Sequence, residues 1–185
     1  MPDVLPAPGR PFRVLFCGIN PGLVSAATGH HFARPGNRFW PALHGSGFTP
    51  HQLRPDEQWL LPELGLGITN VAARPTARAD QLSAVELVEG GRRLADLVHR
   101  TEPAWLAVVG VTAYGIAFAE PRAAIGPQYS TIGDTGVWVL PNPSGRNAHW
   151  PLPALVAEFG RLLSATGSAS AGAAFRSPRR PSGES

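Results

Sequence analysis

Residues Arg13-Val-Leu-Phe-Cys17 form a short run of bulky apolar side chains that stops abruptly at Gly18-Ile-Asn-Pro-Gly22. No other stretch constrains the fold as much. An unbroken rather than alternating apolar run is the pattern of a strand buried on both faces, as in a parallel sheet. Pro21 fixes its own φ and biases Asn20 towards extended backbone, while Gly18 and Gly22 let the chain approach a neighbour closely. One polar side chain, Asn20, is therefore expected at the carboxyl end of a parallel strand, where open α/β sheets bind ligands. An ordinary strand-to-helix turn would use the same five residues, so the rest of the chain has to decide.

The remaining elements alternate. Residues 1–11, with prolines at 2, 6, 8 and 11, read as an irregular lead-in, and Leu23 to Gly36 as a long loop of the length that usually carries function. Asn37 is expected to cap a helix that starts at Arg38 and stops near Gly45 and Gly47, and Pro55 to Leu61 reads as a short helix with acidic residues at its positive end. Leu66 to Ala72 is a second strand. Ser83-Ala-Val-Glu86 is a capping box, stapled by Leu82 and Leu87, for a helix running to about Arg100 with Leu87, Leu94 and Val98 on one stripe. Trp105 to Gly110 is a strand, Thr112 the expected cap of a helix to Phe118, Val137 to Leu140 the last strand, and Leu152 to Leu163 the last helix. From Ser164 to Ser185 the chain is Ser, Ala, Gly and Pro with three arginines, the composition of a disordered basic tail. Alternating strands and helices predict one domain over residues 12–163, with a mostly parallel sheet of four to five strands covered on both faces.

Composition narrows the chemistry. All 16 basic residues are arginine, so no lysine can form a Schiff base with a sugar or carbonyl, and only the terminal amine offers an exception. One cysteine, Cys17, leaves no internal disulfide, four-cysteine iron–sulfur cluster or cysteine-rich zinc site. No run reaches the roughly 18 apolar residues of a membrane span, and no basic-then-apolar signal opens the chain, so a cytoplasmic protein without membrane contact is expected. Acidic residues are absent between Asp3 and Asp56 and between Asp134 and Glu158. The first window holds Arg10, Arg13, Arg34, Arg38 and Arg54, the second Arg146 and His149, and if both line one face that face suits a polyanion.

A second strand ends in a turn like the first, Pro141-Asn-Pro-Ser-Gly145. In a parallel sheet the two turns open on the same edge and offer unpaired N–H groups that can cradle an anion. Neither is a nucleotide-hydrolase phosphate loop, because the Gly-x4-Gly-Lys pattern is missing. Together, Gly18-Ile-Asn-Pro-Gly22, His31-Phe-Ala-Arg-Pro-Gly-Asn-Arg-Phe-Trp40, Arg74-Pro-Thr76 and Pro141-Asn-Pro-Ser-Gly145 resemble the mismatch-specific uracil and thymine DNA glycosylases of the uracil-DNA glycosylase superfamily.

That resemblance, spanning roughly Arg13 to Leu163, implies the three-layer α/β/α glycosylase fold. It further implies excision of uracil, particularly opposite guanine, from double-stranded DNA by a monomer that needs no metal or organic cofactor. Asn20 matches the residue that positions the attacking water, and Phe32 the aromatic ring that stacks on the flipped base. Gly18, Ile19 and Ser25 fall among the substrate-binding positions, with main chain around Ile19 and Phe32 meeting the base edge. Asn142, Ser144, Gly145 and Arg146 match the DNA-binding turn. There Arg146 stands where some members carry an apolar wedge, an arrangement similar to the arginine wedge of the thymine-DNA glycosylases. Asn70 sits where a close member carries lysine.

Each assignment has a plainer counterpart: Phe32 as a core aromatic, Arg146 as a solvated arginine, and His30 and His31 as solvated loop residues with no catalytic part. Phe39 and Trp40 are read as core. A carboxamide orients water without serving as a general base, so Asp80 and Asp134 are the alternatives if a carboxylate assists. Two rival functions are a lesion- or abasic-site-binding DNA protein with negligible turnover and a small-nucleotide enzyme of generic α/β type.

Overall fold

The computed structural model describes residues 1–169. Among them, strands β1 (Val14–Gly18), β2 (Leu66–Asn70), β3 (Trp105–Val109), β4 (Gly126–Ile132) and β5 (Thr135–Leu140) form one sheet in the order β2-β1-β3-β5-β4. Only β4 runs antiparallel, at an edge. The expected mostly parallel α/β sheet is therefore what the chain builds.

The apolar runs of β1, β2, β3 and β5 are unbroken because these strands bury both faces. Phe16, Ala107 and Trp138 face one core and Leu15, Leu106 and Val137 the other. The first core is closed by α2 (Phe39–Gly45) and α5 (Leu152–Ala169), which contribute Phe39, Leu43, Leu155 and Phe159. The second is closed by α3 (Ala84–Thr101) and α4 (Val111–Ala117), through Leu87, Leu94, Val98 and Tyr114. Three layers result. The capping box at Ser83 forms as expected, with Ser83 Oγ accepting from Glu86 N at 3.2 Å and Glu86 Oε2 accepting from Ser83 N at 2.9 Å.

Several expectations fail locally, each for a physical reason. Leu23–Thr28, expected as loop, is a six-residue helix, α1, ended by Gly29 at φ 75°; it is too short to show a helical period. Asn37 does accept from Phe39 N at 2.9 Å, although the helix boundary falls at Arg38. Residues Pro55–Leu64 are a 3-10 helix with Pro62 inside it, three residues longer than the expected Pro55 to Leu61. Helix α4 starts directly after Gly110, at φ 105°, so Thr112 is not its cap. Strand β4 escapes a sequence reading because it is a polar edge strand, with Tyr129 wholly exposed.

The lead-in is also partly ordered by the sheet. Val4 exchanges two backbone hydrogen bonds with Ile68, at 2.9 and 2.8 Å, covering the free edge of β2. At the other end, residues 164–169, expected within the tail, continue α5, and residues 170–185 lie outside the described residues.

Candidate active site

Parallel strands β1, β2, β3 and β5 all end on one edge of the sheet, and a cavity of about 350 Å³ opens there. The turn after β1 supplies Ile19 and Asn20 to its wall, and the turn after β5 supplies Asn142, Ser144 and Arg146. The two stretches singled out in the sequence thus share one cavity. Gly145 packs against the loop between Gly29 and Arg38, since a Cβ there would lie 2.5 Å from the Gly36 carbonyl oxygen. Gly18 makes a similar close approach to two residues of the wall: its Cβ would meet Asn70 Oδ1 at 2.5 Å and Phe32 Cζ at 3.4 Å.

Asn20 is held by its nitrogen. Nδ2 donates to the Arg74 carbonyl at 2.9 Å and to Thr76 Oγ1 at 2.7 Å, with Pro21 O at 3.3 Å. Carbonyl oxygens only accept. Thr76 has already committed its hydroxyl proton to Arg78 O at 2.7 Å, so it too must accept from Asn20. The orientation of the carboxamide follows from these partners, and Oδ1 is the atom left for the cavity, with no protein donor among the described residues. Further out, the Arg74 guanidinium binds both oxygens of Glu86, at 2.6 and 3.0 Å, and Gln81 O at 2.8 Å. That pairing holds the Glu86 carboxyl down at about 2, chiefly through the Arg74 hydrogen bond. The segment anchoring Asn20 is in this way clamped to the first turn of α3. The Arg74-Pro-Thr76 motif, to which sequence reasoning attached no task, carries the anchor.

Phe32 sits at φ 54°, a left-handed conformation uncommon for a non-glycine residue and one that costs energy unless its surroundings enforce it. They do. His31 N donates to Gln58 Oε1 at 2.8 Å, Ala33 N to Ser25 Oγ at 3.1 Å, and Trp40 Nε1 to His31 O at 3.1 Å. The ring stacks on Phe39 with centroids 4.0 Å apart, so that face is spent on the core and the ring still lines the cavity. Phe32 is thus a core aromatic on one face and a cavity-lining residue as well. Ser25, 4% exposed, lines the cavity and pins the backbone beyond Phe32. The Ile19 and Phe32 N–H groups have no protein acceptor among the described residues.

The turn after β5 is fixed by Arg38. Its Nη1 donates to Trp150 O at 2.8 Å and its Nη2 to the Asn147 carbonyl at 2.9 Å and to that of Ser144, while Arg38 N donates to Pro143 O at 2.9 Å. Within the turn Asn142 Oδ1 accepts from Ser144 N at 3.0 Å. Arg146 stands exposed at the mouth, with no side-chain partner among the described residues.

The positive face is smaller than the acid-free windows imply. Arg10 pairs with Glu63, Arg54 with Asp56, Arg13 bonds Leu64 O and Thr166, and Arg38 is committed to carbonyls. Arg34 and Arg146 are left uncommitted at the cavity. The two candidate carboxylates separate. Asp80 lines the cavity, held by Arg78, whereas Asp134 precedes β5 and so lies at the opposite end of the sheet.

His31 corrects the sequence reading most sharply. Expected to be solvated, it is 1% exposed, with Nε2 3.0 Å from Pro2 O and Nδ1 3.3 Å from Asn70 Nδ2. Burial lowers its pKa below the ordinary 6.5. Burial also raises the Cys17 thiol well above its usual range, as expected of a cysteine that only packs.

An open sheet with a polar cleft at the carboxyl ends of its parallel strands is the ligand-binding class of doubly wound α/β protein. Within it, the model of the uracil DNA glycosylase superfamily matches residues 9–163, and the chain belongs to that superfamily. Membership points to DNA glycosylase chemistry on uracil, a hydrolysis of the N-glycosidic bond.

Proposed function

We propose that this chain is a monofunctional glycosylase that flips uracil out of duplex DNA, with preference for uracil opposite guanine, and hydrolyses its glycosidic bond. The observation that carries the reading is the anchored Asn20 carboxamide, whose oxygen is the one group of that side chain left to face a ligand. A water donating to Oδ1 has its lone pair free for the anomeric carbon. Such an arrangement orients the nucleophile without removing its proton early, so the bond must break well ahead of attack, towards an oxocarbenium-like sugar and a uracil anion. The unspent Ile19 and Phe32 N–H groups suit the negative oxygen of that leaving base. Because a general base is worth about 10²–10⁴ in rate, turnover is slow and favours bases that leave well.

A base in a duplex reaches such a pocket only when extruded, at roughly a few kcal/mol. Phe32, backed by Phe39, gives the extruded ring a face to stack on. Arg146, at the mouth, fills the vacated stack or pairs with phosphate, and main chain near Gly145 reads the widowed guanine. Asn70, also in the wall, meets the Watson–Crick edge.

End-labelled duplexes carrying one G·U, A·U or G·T pair test the reading. Uracil release is expected, fastest from G·U, leaving an intact abasic strand that breaks only on alkali treatment, because no lysine is present for lyase chemistry. Tight binding to an abasic duplex with no base release from any substrate would replace the enzyme by a lesion-binding protein.

A further inference from the structure

We propose that His31 is a positioning residue that fixes which way round the Asn70 carboxamide stands, so that the site reads a pyrimidine bearing a proton on N3 only while His31 is neutral. The inference rests on the glycosylase reading for its ligand, and on the geometry alone for its mechanism.

The chain of donors admits one solution. Pro2 O can only accept, so the proton of neutral His31 sits on Nε2, 3.0 Å away. Nδ1 is then a bare acceptor and must receive an N–H from Asn70, whose Nδ2 is 3.3 Å distant. Asn70 lines the cavity, and its Oδ1 and second N–H carry no protein hydrogen bond among the described residues. That pair complements uracil or thymine, whose N3–H donates and whose neighbouring carbonyl accepts. Cytosine, with a bare N3 and an exocyclic amine, presents the reverse. A second proton on His31 turns Nδ1 into a donor, and the only response that avoids two donors facing each other is an Asn70 flip. The flipped amide sets N–H against N3–H of uracil and abolishes the match.

The surroundings keep His31 neutral. It is buried between the lead-in, β2, α2 and the 3-10 helix, where Asn70, Trp40 and Gln58 meet it without charge. The charges acting on it are the Asp3 carboxylate, which favours protonation and is engaged by Thr69 Oγ1 at 2.7 Å, and the Met1 amine, which opposes it. Desolvation outweighs both.

Two measurements on the full chain decide. In the first, long-range ¹H–¹⁵N correlation spectra of the free protein are followed from neutral to acid pH. The expected result is the Nε2–H tautomer, a midpoint below 6.5, and an Asn70 side-chain amide that shifts with that midpoint. A Nδ1–H tautomer, an ordinary midpoint or a silent Asn70 overturns the proposal. This arm needs no variant and no activity. In the second, kcat/KM for G·U duplex is expected to fall about tenfold per pH unit below the midpoint. His31→Gln, which offers an acceptor to Asn70 and a donor to Pro2 O without titrating, should stay active and lose this acid limb, with thermal unfolding at each pH checking the fold. An acid limb unchanged in His31→Gln overturns the proposal. No excision by any form sinks the glycosylase reading while the spectra still judge His31, and Asn70→Ala with unaltered uracil-over-cytosine selectivity removes Asn70 as the reader.

Discussion

Asn20 is useful because it is immobilised. A free asparagine would sample both amide orientations, but two carbonyls and a committed threonine hydroxyl leave its nitrogen one place to go. Thr76→Val keeps the shape and removes the acceptor, so kcat is expected to fall between about ten- and a hundredfold with KM little changed, as measured under saturating substrate. His31 affects stability as well. Its folded pKa is depressed, so the unfolded chain takes up the proton first as pH falls. The stability gained by keeping it neutral is complete above 6.5 and is lost between 6.5 and its lower folded value. Unfolding temperature should therefore drop across that window in the wild type and drop less in His31→Gln, as followed by circular dichroism. Asn20 was visible in the sequence because proline and glycines frame it. The roles of Thr76, Arg38, His31 and Asn70 were not, since each depends on a partner between 39 and 112 positions away.

At the scale of elements, the parallel strands were legible because burial on both faces leaves long apolar runs, and α3 because its cap and stripe are local. Strand β4 and helix α1 were not: the first is polar and exposed, the second shorter than two turns. How tightly α3 packs was hidden too. A Cβ on Gly90 would overlap the Val71 carbonyl oxygen, and one on Gly91 that of Ala117, so this helix lies directly against the residue following Asn70 and against α4. Gly90→Ala gains roughly 0.5–1 kcal/mol of helix preference, yet the overlap with main chain costs about 1–3 kcal/mol. Net destabilisation is expected in a urea titration. The turn after β5 depends likewise on Arg38. Arg38→Lys, which replaces a fork by a point charge, should cost about 1–3 kcal/mol and raise KM for duplex, because three carbonyls lose their donor together.

At the scale of the whole molecule, Arg10, Arg54, Arg74, Arg78 and Arg161 are held in ion pairs, and the cavity mouth retains Arg34 and Arg146. Duplex binding is expected to weaken with salt, and Arg34→Ala should reduce the slope of log affinity against log salt by about 1 without changing selectivity. The fold brings a carboxamide oxygen, an aromatic face and unspent N–H groups to the carboxyl ends of adjoining parallel strands, an economical site in which Asp80 is the one carboxylate among the described lining residues. Asp80→Asn should accordingly leave most of the uracil rate in place. The most direct measurement is the single-turnover rate of uracil release from a G·U duplex by Asn20→Ala, set beside its affinity for the abasic product. The account predicts a rate lower by about 10²-fold or more with product affinity kept within a fewfold. An unchanged rate would contradict it.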